Sequence, residues 1–434
     1  MSLLSAALAT ARRLVLVASF ASTSLLNYVF GLAAGWLLGP ADFGLLAFAQ
    51  TLVLIGGLIL ETGIPWSLTR EIARAPAHAR AGLVRGAFVA NVGLAACLGG
   101  VVVLFFVAGP FQAGLEQPSI VLVVCLSLLC IAVSTVARGA LQGVERFWAV
   151  AAIQVSEVAG KTVAGLALIL LGHGVLGALA GFVLGGAAAA GLGVWLTREV
   201  LRRQAAGRSL ELPRLGAAAP LFGALLAFAL LLNVDLLAVK LFASEERALA
   251  GYYQAGTMLA NLPCYLVTSA IVPLLFARLA RAGRLESTGE VIGSGFRLIV
   301  LLVLPIELLL IAVPGLAVGT LFPASFAPTV ELLRPLGLAR AALLVVALLS
   351  AAFQAVGRGS VPARVLLSVV GLEVLALSVV VSRWHAYGAA VVAVVACSVA
   401  LLALGTVYVR SVPVLPLRLG FAWRPGNATQ SGSV

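Results

Sequence analysis

Apolar runs of about twenty residues follow one another from Leu14 to Val409, separated only by short polar breaks. A helix rises about 1.5 Å per residue, so a run of this length covers the ~30 Å hydrocarbon layer of a bilayer. Strands of a membrane barrel would instead alternate over about ten residues, a pattern absent here. Hydrophobic residues make up 62% of the chain and charged residues 10%, and the mean hydropathy is +1.14. Those values exclude a water-soluble globular domain of this size. The sequence therefore predicts an all-α, polytopic membrane protein.

The runs place about twelve spans. Six lie near Leu14 to Leu38, Leu45 to Trp66, Gly86 to Ala108, Ser119 to Leu141, Trp148 to Leu171 and Val175 to Thr197. Six more lie near Ala217 to Phe242, Gly251 to Phe276, Val291 to Val313, Thr329 to Val356, Ala363 to Ser382 and Tyr387 to Val409. Arg12-Arg13 ahead of the first run resembles a signal peptide, but the run continues to Leu38 without a small-residue cleavage site and is read as an uncleaved span.

The net charge of +12 would suggest a nucleic-acid partner in a soluble protein. Here the basic residues sort by side of the membrane, and no nucleic-acid partner is expected. With the N-terminus inside, the inner segments hold 22 of the 28 basic residues, among them Arg70, Arg74, Arg138, Arg146, Arg198, Arg203, Arg358 and Arg410. The first three outer loops hold none. This asymmetry follows the positive-inside rule and puts both termini in the cytoplasm of a multi-pass cytoplasmic-membrane protein. The basic segment after Arg198 is the longest connection, an orientation signal and linker that can also touch anionic headgroups of membrane lipids. No extramembrane domain is large enough to house a catalytic site.

The two sets of six spans repeat one another. Leu25-Leu26-Asn27 aligns with Leu231-Leu232-Asn233, Gly44 with Gly251, Ile72-Ala73-Arg74 with Leu279-Ala280-Arg281, Gln142 with Gln354 and His173 with His385, at offsets of 206 to 212. An even number of spans between equivalent points makes the repeat parallel, about an axis along the membrane normal. The expected plan is a lobe over residues 1–206, a basic linker over 207–216, a second lobe over 217–410 and a cytoplasmic tail over 411–434, with a central cavity between the lobes.

Several segments carry a resemblance. Gly39-Pro40-Ala41-Asp42-Phe43-Gly44, Thr62-Gly63-Ile64-Pro65 with Thr69-Arg70-Glu71, Leu141-Gln142-Gly143-Val144-Glu145-Arg146-Phe147, Asp235 with Gly251-Tyr252-Tyr253-Gln254-Ala255, Pro273 through Arg278, and Leu321 through Ala327 resemble signatures of the polysaccharide (O-antigen) flippases, the polysaccharide biosynthesis proteins of the multidrug/oligosaccharidyl-lipid/polysaccharide exporter superfamily. The resemblance implies a two-lobed fold with a V-shaped cavity, and transport of an undecaprenyl-diphosphate-linked oligosaccharide between leaflets by alternating access. It also implies, for some members, coupling to H+ or Na+, and work beside a polysaccharide polymerase or other assembly partners in the bacterial inner membrane. A cation-coupled multidrug exporter of the same superfamily is the alternative. A membrane polymerase or ligase is a third reading, disfavoured by the short outer loops.

Ionisable residues inside spans are costly, at about 2.5 to 3.5 kcal/mol each on insertion scales, and default to functional candidates. Asn27, Lys161, Asp235, Lys240 and Arg340 are the candidates for the substrate path, and Asp235, Glu307 and Glu373 for ion coupling. A diphosphate needs cationic partners, and Lys161, Lys240 and Arg340 supply them. Each also has a structural reading: an interhelical contact for Asp235 and Asn27, a snorkelling side chain for Lys240, and mutual neutralisation of Glu157 and Lys161 at i, i+4. Arg340 and Glu373 form a further candidate pair, Glu307 sits two residues after the helix-bending Pro305, and Glu61 could bridge to a basic loop. The five cysteines lie in apolar runs, and no phosphate loop, nucleophile elbow or zinc spacing occurs, so neither a cofactor nor a metal is expected.

Overall fold

The computed structural model describes residues 3–109, 111–202, 211–213, 219–243, 246–267, 275, 279 and 288–411, and all regular structure among them is helical. Eight helical stretches are long and apolar enough to cross a membrane. Three of these, Ser22–Arg74, Phe147–Arg198 and Ser360–Ser411, are twice the length needed. Each breaks where the sequence places a loop: at Gly39 (φ 71°), at Gly172 and Gly174 (φ 87° and 54°), and at His385 (φ 48°). Positive φ leaves the right-handed helical basin, and glycine enters it without a Cβ clash. Each long stretch therefore supplies two crossings, and with Leu249–Leu266 the described helices make two bundles of six.

The folding-back is visible in side-chain contacts. Gly35 and Phe43, eight residues apart across Gly39, both lie against the Phe322 ring. In the first bundle, Phe147–Leu168 and the helix beginning at Gly174 run antiparallel at close range. A Cβ on Gly181 would meet Gly165, and Gly160 lies against Gly185. Small residues at four-residue spacing let backbones approach where lipid offers no hydrophobic drive for association.

The apolar exterior fits a lipid solvent. Val89, Leu104, Leu170, Leu375 and Leu402 are exposed, while Trp36, Trp66, Trp148, Trp195 and Trp384 stand exposed near the ends of spans, where an indole can sit at the headgroup level. Some spans differ in detail from expectation. The second continues beyond its break at Gly63 as the Ile64–Arg74 helix, and the ninth contains a widened π-type turn over Ile299–Val303 just before Pro305. A short helix, Pro314–Leu321, follows it. The later portion of the eighth span, most of the linker and the tail from residue 412 lie outside the described residues. Within the linker, the Glu211 amide donates to the Gly82 carbonyl at 3.4 Å.

Among the described residues the bundles share a core at one end. At the end poor in basic residues, one apolar cluster joins Phe30, Phe43, Phe48 and Val124 of the first bundle to Val239, Tyr253, Phe322 and Phe326 of the second. Toward the arginine-rich end the core divides. Leu343, Phe353, Leu366 and Leu404 pack within the second bundle, while Leu68, Ile72 and Val84, and separately Leu141, Ile153 and Leu196, pack within the first. The described residues thus form a pair of bundles fused at one end and parted toward the other.

Candidate functional site

Three polar groups interrupt the apolar helices. The first lies inside the second bundle. Asp235 is placed on the Ala219–Phe242 helix, Tyr253 on Leu249–Leu266 and Arg340 on Thr329–Ala355, all three fully buried. The Asp235 carboxylate accepts from Arg340 Nη2 at 3.1 Å and from the Tyr253 hydroxyl at 2.8 Å. The same guanidinium donates to the carbonyls of Leu231 and Leu232, each at 3.1 Å. Arg340 therefore pairs with Asp235, and the alternative partner Glu373 is left without a hydrogen bond.

Glu307 and Glu373 complete this group. They are 0% and 2% exposed, none of their four carboxylate oxygens has a hydrogen-bond partner among the described residues, and both lie within electrostatic reach of Arg340. Glu307 rests against Gly337, one turn before Arg340, where a Cβ would stand 3.1 Å from Oε1. Two further buried carboxyl groups thus lie within electrostatic reach of a guanidinium already paired with Asp235. An isolated carboxylate is prohibitively expensive there, so the arrangement is chemically balanced only with additional positive charge, a proton or a cation.

The second group lies in the first bundle. Lys161 Nζ donates to Asn27 Oδ1 and sits over two aromatic faces, 4.7 Å from the Phe182 centroid and 5.2 Å from that of Phe30. The rings meet edge-to-face at 5.8 Å, forming a rigid cradle for the ammonium. Asn27 is exposed and Lys161 is 7% exposed. Glu157, the expected i, i+4 partner of Lys161, lies within its electrostatic reach and also 4.0 Å from Arg138, which is 3.6 Å from Glu61. Neither distance makes a hydrogen bond, and Arg138 Nε is buried without a partner. Arg138 was legible only as one of the inward-biased arginines. The structure puts it within the Pro118–Gly143 helix, inside the span that the sequence places at Ser119 to Leu141, with its side chain 14% exposed between two carboxylates.

The third group closes the seam between the bundles at the end poor in basic residues. Lys240 Nζ lies 2.9 Å from Glu116 Oε1, a residue brought across from the first bundle and unremarkable in the sequence. Trp36 Nε1 donates to the Leu321 carbonyl at 2.9 Å, and Phe43 packs on Phe322 and Phe326. Gly44 and Gly251, equivalent positions in the repeat, touch each other: a Cβ on Gly44 would stand 2.6 Å from the Gly251 amide, and one on Gly251 would collide with the Pro40 carbonyl. Asn233 spends its amide on its own helix, donating to Ala229 O at 2.8 Å. The Glu61, Arg138 and Glu157 group and the Asp235, Arg340, Glu307 and Glu373 group therefore occupy different bundles, with Lys240 apart from both.

The chain matches the family described as polysaccharide biosynthesis protein over residues 11–281. No curated protein matches it in sequence. Among solved structures it is similar to one titled lipid II flippase MurJ in an inward closed conformation, with a TM-score of 0.69 and 12% identity over 89% of this chain and 87% of that one. It is also similar to a multidrug resistance MATE family transporter of the MOP superfamily, in an inward-facing form (TM-score 0.63, 15% identity, 89% and 95% of the two chains) and an outward-facing form (TM-score 0.58, 16% identity, 92% and 94%). At these identities the likeness establishes the fold alone. With the sequence match covering more than half its length, the chain belongs to the polysaccharide biosynthesis protein family.

Proposed function

We propose that this protein is a flippase that carries an undecaprenyl-diphosphate-linked oligosaccharide from the inner to the outer leaflet of the bacterial cytoplasmic membrane, for surface polysaccharide biosynthesis. The observation that carries the reading is the divided core: bundles fused at one end and parted at the other are one state of a rocking pair. The arginine-rich end faces the cytoplasm, with both termini there, so this state is open inward and sealed outward. Transport of this kind breaks no covalent bond, and the protein acts as a transporter rather than an enzyme.

The lobes divide at 1–206 and 217–410, with the basic segment 207–216 as hinge and 411–434 as tail. Lys161, oriented by Asn27 and its aromatic cradle and lacking a carboxylate within ion-pair distance among the described residues, is the cation best placed for the diphosphate. Arg340 and Asp235, both sealed, serve the second lobe from within, and Asp235, Glu307 and Glu373 take up the coupling H+ or Na+. A polymerase or other assembly partner receives the glycan on the outer side.

The test is reconstitution in proteoliposomes with an undecaprenyl-diphosphate-linked oligosaccharide, scored by exposure of the glycan to a membrane-impermeant glycosidase. Protein-dependent exposure is expected. Vesicles that move organic cations but leave the lipid-linked glycan in place would overturn the proposal in favour of a drug exporter. In cells, deletion should trap the lipid-linked glycan on the inner leaflet.

A further inference from the structure

Lys240 has two readings: a latch that holds the outer seam shut, or a binding group held in reserve. The local geometry distinguishes them. Lys240 stands two residues from the end of Ala219–Phe242, is 4% exposed, and has Glu116 as its single ion-pair partner among the described residues. On that helix it shares a face with Asn233, seven residues earlier, while Asp235 is turned away into the second bundle toward Arg340 and Tyr253. The helix thus gives its interior one polar face and the seam another.

Glu116 is delivered by a rigid support. It caps the turn Gln112–Leu115, in which Leu115 is fully buried and Phe111 packs on Phe48 and Phe105 at ring distances of 5.8 Å and 5.1 Å. Its own backbone has φ 57°, a conformation that residues with a side chain rarely adopt. A carboxylate is therefore held in an unfavoured conformation against a lysine of the opposite bundle, at the end where cargo would leave.

A partly buried ion pair adds little net closing energy, because desolvation offsets its attraction. An anion with more oxygens, such as a diphosphate, can replace a single carboxylate at an ammonium without leaving either charge unpaired in a dry site. We propose that Lys240 is the exit-side subsite for the anionic diphosphate group of the cargo, and that Glu116 occupies this subsite whenever the outer seam is closed. The pair then links release to closure: the cargo displaces Glu116 as the seam opens, and Glu116 returns when the cargo departs. This inference rests on the flippase reading.

The test uses the full chain in nanodiscs with undecaprenyl diphosphate as probe, comparing Glu116→Gln, Lys240→Gln and the exchange Glu116→Lys with Lys240→Glu. Seam closure is read as the distance between spin labels at Ser119 and Arg247 in a cysteine-free background. Removing the competitor in Glu116→Gln should tighten binding about fivefold, and Lys240→Gln should weaken it about fivefold, the scale of one charge-assisted contact. The exchange variant should restore the closed distance but not the binding, since its span presents an acid to the anion. If the exchange variant recovers both closure and binding, or if Lys240→Gln binds as wild type, the pair is a latch only and the subsite is refuted. Wild-type protein that binds no undecaprenyl diphosphate would instead sink the flippase reading itself.

Discussion

Arg340 and Asp235, 105 residues apart in the chain, meet at 3.1 Å with neither side chain exposed. Asp235 is also held by Tyr253, and Arg340 by two carbonyls of the helix that carries Asp235. Truncating one member strands a buried charge, which typically costs about 3 to 5 kcal/mol, whereas replacing both by apolar groups is often neutral. Asp235→Ala should therefore lower the thermal unfolding midpoint of the detergent-purified protein sharply. The double variant Asp235→Leu with Arg340→Met should recover most of the loss. If the single and double variants unfold alike, the pair does not organise the second bundle.

Glu307 and Glu373 have no hydrogen-bond partner to lose among the described residues. Glutamine is a neutral copy of a protonated glutamate, so Glu307→Gln and Glu373→Gln should fold with unchanged stability. Under the coupling role assigned to them, glycan flipping in proteoliposomes should then no longer respond to an imposed H+ or Na+ gradient. A full gradient response in the double Gln variant would remove both residues from coupling.

At the seam, Gly251 has no room for a side chain because the Pro40 carbonyl occupies the place of a Cβ. Overpacking of this kind typically costs about 1 to 3 kcal/mol. The expected consequence of Gly251→Val is local: the outer ends of the bundles separate, and labels at Ser119 and Arg247 move apart. An unchanged label distance would mean that the contact does not set the closed state.

Lys161→Met keeps the bulk of the side chain between Phe30 and Phe182 but removes the charge. Binding of undecaprenyl diphosphate should weaken about tenfold, equivalent to about 1.4 kcal/mol. Thermal stability should fall only slightly, because Glu157, the carboxylate within electrostatic reach of Lys161, keeps Arg138 at 4.0 Å. Unaltered affinity would exclude Lys161 from the diphosphate site.

Much of the fold is legible because a bilayer imposes one period and one length on every crossing. Breaks at Gly39, near Gly172 and at His385 fall where a short polar or glycine-containing segment separates one apolar run from the next. Partnerships between spans are less legible. Nothing in the spacing of Asp235, Arg340 and Glu373 chooses which acid the arginine takes, and helix periodicity points to Glu157 with Lys161 but not to the second basic neighbour, Arg138, that packing brings to Glu157. Arg138 lies close enough to a basic turn to be counted with it, and Glu116 sits in a loop with no period at all.

The segments that signal the family are mainly places of close approach. Thr69 Oγ1 donates to the carbonyls of Pro65 and Gly139 at 2.9 Å and 3.0 Å, tying the segment that follows the second crossing to the fourth. Pro40 and Gly44 meet Gly251 across the seam. Their sequence signal reports how the helices fit together.

Where Pro40 and Gly44 meet Gly251, peptide groups rather than side chains form the touching surfaces, and two of the three positions are related by the internal repeat. Such a joint acts as a bare bearing. Tilting one bundle against the other there requires no rotamer to change, so the resistance to opening is concentrated in the surrounding phenylalanines, Phe43, Phe322 and Phe326.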